Sequence, residues 1–163
     1  MNLEFSLSMS GASSKSTFYL AEYEFGVDEK RRLQVPAKWR PEDGGEGCEF
    51  YLLRWQPTPK KPVCLLVLPP AAFQKLNDKV SALSFSDPNA EALRRSLTRA
   101  SDVVTLDNAG RMCLPKGLAD AAGIRKKAVL VGMLDRFQIW SPEHYEIVRA
   151  EDEANTAAAL ALI

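Results

Sequence analysis

The chain has 163 residues, enough for one substantial domain or two small ones, and 46% apolar with 26% charged residues is an ordinary globular balance. Lysine and arginine number 21 and aspartate and glutamate 21, so the molecule as a whole shows no basic signature. One histidine, His144, and three scattered cysteines, Cys48, Cys64 and Cys113, argue against a disulfide framework, a cysteine zinc site and nucleophile–base catalysis.

In chain order, residues 1–17 hold six serines and lack a basic start followed by an apolar core, so a flexible extension is expected rather than a signal peptide. No run approaches the ~18 apolar residues that a membrane span needs. Residues 27–36, "VDEKRRLQVP", then read as the end of a strand, a turn and a second strand. Phe25 and Val27 lie two apart, as do Leu33 and Val35, which puts each pair on one face. Arg32 has the opposite parity. Pro36 stops the strand, and "PAKWRPEDGG" predicts a short helix cut off by Pro41. The runs "EFYLLRW" and "VCLLVL" predict two strands around a Pro- and Lys-rich loop, and Pro70 opens a helix containing Phe73. A further helix is expected from a cap near Ser86–Asp87, with Pro88 in its first turn and Leu93 and Leu97 as its apolar stripe. Its Arg94, Arg95 and Arg99 are assigned to its wet face.

Residues 106–115, "LDNAGRMCLP", repeat the first turn 79 positions later. Val104 and Leu106 stand for Phe25 and Val27, Met112 and Leu114 for Leu33 and Val35, Arg111 for Arg32, and Pro115 for Pro36. "PKGLADAAG" predicts a helix closed by Gly123, followed by strands "AVLVGML" and "FQIW" and a helix opened by Pro142 and containing Tyr145. Residues 149–163 are acidic and then Ala-rich, fitting either a terminal helix or an unstructured tail. Residues 28–40 and 107–127 each carry five cations against two carboxylates, so positive charge gathers at both copies. An isolated hairpin is marginal in water, and each half has too little core of its own. Interleaving the halves buries both apolar faces and relates the two arginine turns by an approximate two-fold axis.

These residues resemble the MraZ family of bacterial transcriptional regulators, whose members carry two SpoVT/AbrB-type swapped-hairpin domains in tandem. The resemblance runs from about Phe18 to Val148 and rests on Asp-x-x-Gly-Arg, three residues and Pro, matched fully by "LDNAGRMCLP", together with "AVLVGMLDRFQIWSPEHYE" and "SDPNAEALRRSLTRAS". The first copy departs from the pattern, with Arg31 where the family has Gly. It implies a mostly β fold with short helices (α+β). Two tandem repeats, 18–76 and 101–148, form one pseudo-two-fold barrel, with a helical segment at 77–100 between them.

The function implied is sequence-specific binding of repeated promoter elements of the division and cell-wall gene cluster. It is exerted as a repressor, by a homo-oligomeric ring, in the cytoplasm at the nucleoid. On that reading Arg32 and Arg111 face the bases, and Lys30, Arg31, Lys38 and Lys116 are further DNA-binding candidates. Asp28, Asp107 and Gly110 organise the turns. No catalytic residue, metal or cofactor is assigned, and neither a membrane nor a small-molecule substrate is expected. Trp39, Trp55 and Trp140 are assigned to packing, His144 to the surface, and Cys113 to the arginine side of its strand without a reactive role. Two other readings remain: a ring-forming scaffold on the same fold without operator binding, motivated by Arg31, and a small hydrolase, disfavoured because no acid–base constellation appears.

Overall fold

The computed structural model describes residues 17–163, so the Ser-rich stretch read as a loose extension lies outside the described residues but for Thr17. In chain order the strands are β1 (Glu22–Gly26), β2 (Arg32–Gln34), β3 (Glu49–Trp55), β4 (Cys64–Leu68), β5 (Ser101–Thr105), β6 (Arg111–Cys113), β7 (Lys127–Gly132) and β8 (Phe137–Trp140). The helices are α1 (Pro70–Ser81), α2 (Pro88–Arg99), α3 (Lys116–Ala121) and α4 (Pro142–Leu160), with one 3₁₀ turn at Ala37–Trp39. Proline supplies the first residue of α1, α2 and α4, where its missing N–H has no helical partner to lose. Asp87 and Ser141 cap α2 and α4 by accepting from the backbone N–H of Asn89 and His144. The Ala-rich tail continues α4 without a break as far as Leu160.

Six strands form one antiparallel sheet in the order β1-β7-β8-β4-β3-β5, and β2 pairs with β6 in a separate ribbon. The order is a palindrome under exchange of the halves: β1 corresponds to β5, β7 to β3 and β8 to β4. The first strand of each repeat therefore leaves its own turn and pairs in the other half. β1 lies on β7, with Glu22 opposite Val131, and β5 lies on β3, with Glu49 opposite Thr105. Only a single bridge, Val27 to Leu33, joins β1 to the strand that follows it. The interleaving expected from the weakness of each half is present. The sheet stays open, however: β1 and β5 are its two edges and do not pair, so hydrogen bonds do not close the barrel that was expected.

The core explains the strand patterns. Leu65 and Val67 of β4 face inward, with Phe50 and Leu52 of β3, Leu130 of β7, and Phe137 and Ile139 of β8. Leu33, Val35, Met112 and Leu114 reach the same core from the ribbon and just beyond it. Trp39 from the 3₁₀ turn meets Tyr19 and Phe137 there, at ring separations of 5.6 and 4.9 Å. β4 is apolar at all five positions because its other face is covered too. Leu66 and Leu68 pack with Leu53, Ala72, Phe73 and Leu97 beneath α1 and α2, and Cys64 packs with Trp140 and Tyr145 beneath α4. Trp39 and Trp140 are buried as expected, while Trp55 lies 41% exposed near the sheet edge.

Candidate nucleic-acid interface

The ribbon is the junction of the halves, and its register sets out the candidate site. Arg32 lies opposite Cys113, Leu33 opposite Met112, and Gln34 opposite Arg111. Leu33 and Met112 point into the core, almost wholly buried. Strand alternation then puts Arg32, Gln34, Arg111 and Cys113 together on the outer face. Arg32 and Arg111 are diagonal neighbours there, a placement with backbones about 7–8 Å apart. Their side chains are 34% and 35% exposed, as near-equal as the two-fold axis requires.

Each arginine leads out of a loop built to one plan. In the first, Asp28 Oδ1 accepts from the backbone N–H groups of Lys30 (2.9 Å) and Arg32 (2.8 Å), and Oδ2 accepts from Arg32 Nε (2.7 Å). In the second, Asp107 Oδ1 accepts from the N–H groups of Ala109 and Arg111, both at 2.9 Å, and Oδ2 from Arg111 Nε at 2.9 Å. The N–H donors, Arg32's backbone first for Asp28 and Arg111's for Asp107, hold both carboxyls below the ordinary 3.8. Each aspartate thus ties its turn to the arginine that follows it and orients that side chain. With Nε committed to the carboxylate, the two terminal nitrogens of each guanidinium are left without a hydrogen bond among the described residues. That pair of donors is the fork that matches a guanine edge or a phosphate.

The departure at Arg31 is absorbed without changing the loop. Gly110 has φ +75° and Arg31 φ +60°, so both occupy the left-handed region. That region costs an L-residue roughly 1–2 kcal/mol. Leu114 N–H donates to the Arg31 carbonyl at 2.8 Å, as Val35 N–H does to that of Gly110 at 3.1 Å, and Arg31 Nε adds a bond to the Leu114 carbonyl at 3.0 Å that offsets part of the strain. The first loop keeps the hydrogen-bond set of the second.

Of the remaining candidates, Lys30 and Lys38 are exposed, at the first loop and the 3₁₀ turn. Lys116 opens α3 and pairs with Asp120 at 2.9 Å, both well exposed. Three residues near the loops carried no site assignment from sequence. Gln34 Nε2 donates to the carbonyls of Ala109 (3.1 Å) and Gly110 (3.2 Å), bracing the second loop. Its two-fold counterpart, Cys113, donates from Sγ to the Lys30 carbonyl at 3.2 Å, bracing the first. The shared parity of Gln34 and Arg32 was the signal that marked this face. Arg40 lies against Gly110 and had no local signal at all.

Two assignments away from the site are corrected. Arg94 is not on a wet face: it bonds Glu91 at 2.8 Å and the Val80 and Leu83 carbonyls, and it lies 5.3 Å from the Phe85 ring, tying α2 to the end of α1. His144 is partly buried, its Nδ1 at 2.8 Å from the Val63 carbonyl, because the first turn of α4 packs against the strand leading into β4.

Two interleaved halves that set a matched pair of Asp–Arg loops on one ribbon define a single-chain swapped-hairpin protein with internal two-fold symmetry. The family profile described as "MraZ protein, putative antitoxin-like" matches residues 97–162. The transcriptional regulator MraZ of Thermomicrobium roseum is 36% identical over 137 residues, 82% of this chain and 91% of that protein. The protein of the same name from Herpetosiphon aurantiacus is 35% identical over 143 residues, 88% and 94% of the two lengths. That from Leuconostoc mesenteroides is 30% identical over 133 residues, covering 82% and 87%. The chain belongs to the MraZ family.

Proposed function

We propose that the protein is a sequence-specific DNA-binding transcriptional regulator that reads bases with Arg32 and Arg111. The observation that carries this is the paired loops: two guanidiniums on one ribbon face, each held at Nε by an aspartate and open at its terminal nitrogens. Lys30, Arg31, Lys38 and Lys116 contact phosphate, which positions the protein without reading sequence. A few such contacts alone give roughly 10⁻⁴–10⁻⁶ M at physiological salt. Assembly of several copies into a ring on repeated promoter elements raises the effective concentration of each later contact. The regulators named among its relatives support this role over an enzymatic one. The further reading is repression of the division and cell-wall cluster, in the cytoplasm at the nucleoid. Among the described residues no helix is long and apolar enough to cross a membrane. The scaffold alternative took its motive from Arg31, and the matched hydrogen bonds of the two loops remove that motive.

Fluorescence anisotropy with the chain's own upstream promoter and a scrambled duplex tests the reading. Arg32→Ala and Arg111→Ala each weaken promoter binding by about 1–3 kcal/mol, roughly 5- to 150-fold, and narrow the preference over scrambled DNA. Equal, weak binding of both duplexes by the unaltered protein would falsify the regulator reading in favour of the scaffold.

A further inference from the structure

Two pairs of corresponding positions differ in a reciprocal way. At the 79-residue offset of the repeats, Arg31 corresponds to Gly110 and Arg40 to Ala119. A Cβ on Gly110 would fall on the Arg40 side chain, 2.7 Å from both Cδ and Cζ. The guanidinium of Arg40, carried by the first half, therefore lies directly on the backbone of the second loop, in the space a Cβ would take. At the first loop, Ala119 is a methyl group too short to reach across. The loop's own Arg31 supplies the guanidinium, close enough to lower the pKa of Asp120 beside Ala119, after Lys116 and Arg125. Each loop thus has one extra guanidinium at its left-handed residue, delivered in cis at the first and in trans at the second.

Arg40 is also an uncompensated cation. It forms no ion pair with a described carboxylate, and its Nε is buried without a hydrogen-bond partner, alone among the side-chain nitrogens and oxygens of the described residues. Its terminal nitrogens make no hydrogen bond to a described residue either, yet neither is sealed from solvent. An unmet donor on a charged group costs more than one on a neutral group, and no described residue offsets it. A phosphate oxygen at the second loop would meet the open terminal nitrogens and compensate the charge of the group.

We propose that Arg40 is a DNA-backbone contact of the second loop, the trans counterpart of Arg31 at the first. The proposal rests on the DNA-binding reading above. Arg40 places its positive charge on Gly110, the residue before Arg111, so the base-reading fork and a phosphate clamp share one loop although they come from opposite halves of the chain. Gly110 serves twice, adopting its positive φ without a side-chain penalty and seating the Arg40 guanidinium.

The test is a salt titration of binding to promoter and scrambled duplexes. It uses the full chain and its Arg40→Gln, Arg40→Lys and Arg111→Ala variants, with each melting curve measured. One phosphate contact contributes about 0.9 to the slope of log K against log salt. Arg40→Gln should lower the slope by that amount on both duplexes, so its affinity deficit shrinks roughly 3.5-fold between 50 and 200 mM salt. Arg40→Lys should keep the slope. Arg40→Ala combined with Gly110→Arg copies the first loop and should restore it, which keeps the proposal testable if Arg40→Gln fails to fold. An unchanged slope in Arg40→Gln, or a lowered one in the folded exchange variant, overturns the proposal even while Arg111→Ala still narrows promoter preference. Loss of all promoter preference in the unaltered chain overturns the DNA-binding reading itself.

Discussion

At the scale of single residues, Asp28 and Asp107 do the most with the least. Each is a side chain at least partly open to solvent whose two oxygens collect two N–H groups and one guanidinium. Because these donors favour the ionised form, the folded pKa lies below the unfolded one. The loops' stabilisation is present above 3.8 and disappears as pH falls through the lower folded value. Acidification should therefore release both loops while the core persists. The amide NMR signals of Lys30, Arg32, Ala109 and Arg111 should move together, at a pH below that of an ordinary aspartate. Independent movement at the ordinary aspartate pH would show that the carboxyls do not organise the loops. This part of the site was legible in the sequence, since an aspartate bonding N–H groups two and four residues on is a local arrangement. The seat of Arg40 on Gly110 was not, because 70 residues separate them and no periodicity carries such a contact.

At the scale of elements, local chemistry placed most boundaries and tertiary packing set the rest. The cap at Asp87 and the proline after it fix the start of α2, and Gly123 at φ +69° closes the turn after α3, all as the residue types predict. Replacing Asp87 by Ala should cost about 1 kcal/mol, read as a lower melting midpoint with binding affinity intact. The same change at Ser141 should cost about as much or more, since this cap is buried beside His144 and Tyr145. What the sequence did not fix was burial along the helix faces. Leu93 was assigned to the apolar stripe of α2 yet is 41% exposed, while the Leu97 one turn on packs beneath α2. Arg94 bonds the Val80 and Leu83 carbonyls at the end of α1, a tertiary contact that periodicity alone does not contain.

At the scale of the whole molecule, the arithmetic of the two halves was readable and their pairing order only partly so. Short strands with matched parity implied that neither half buries its apolar face alone, and the palindromic sheet bears this out. Closure was a different matter. Whether β1 and β5 meet depends on twist and curl summed over six strands, which no local pattern records. The interleaving makes the halves inseparable. A chain ending at Ala100 loses the partners of β1, β2 and β5's neighbour β3, leaving β3–β4 as its one remaining strand pair. Such a fragment should melt without a cooperative transition by circular dichroism, since a lone hairpin is marginal at best. A sharp transition in it would mean that the first half folds alone and that the exchange of strands is incidental.

The covalent fusion of the two halves has one more consequence. A two-fold module assembled from identical subunits dissociates on dilution and must present the same surface twice. Here one polypeptide holds both loops on a ribbon where Arg32 faces Cys113 and Gln34 faces Arg111. Dilution cannot part them, and each side is free to diverge, as Arg31 and Gly110 already have. On the proposed function, the DNA sequence such a molecule reads is therefore released from the obligation to be a palindrome.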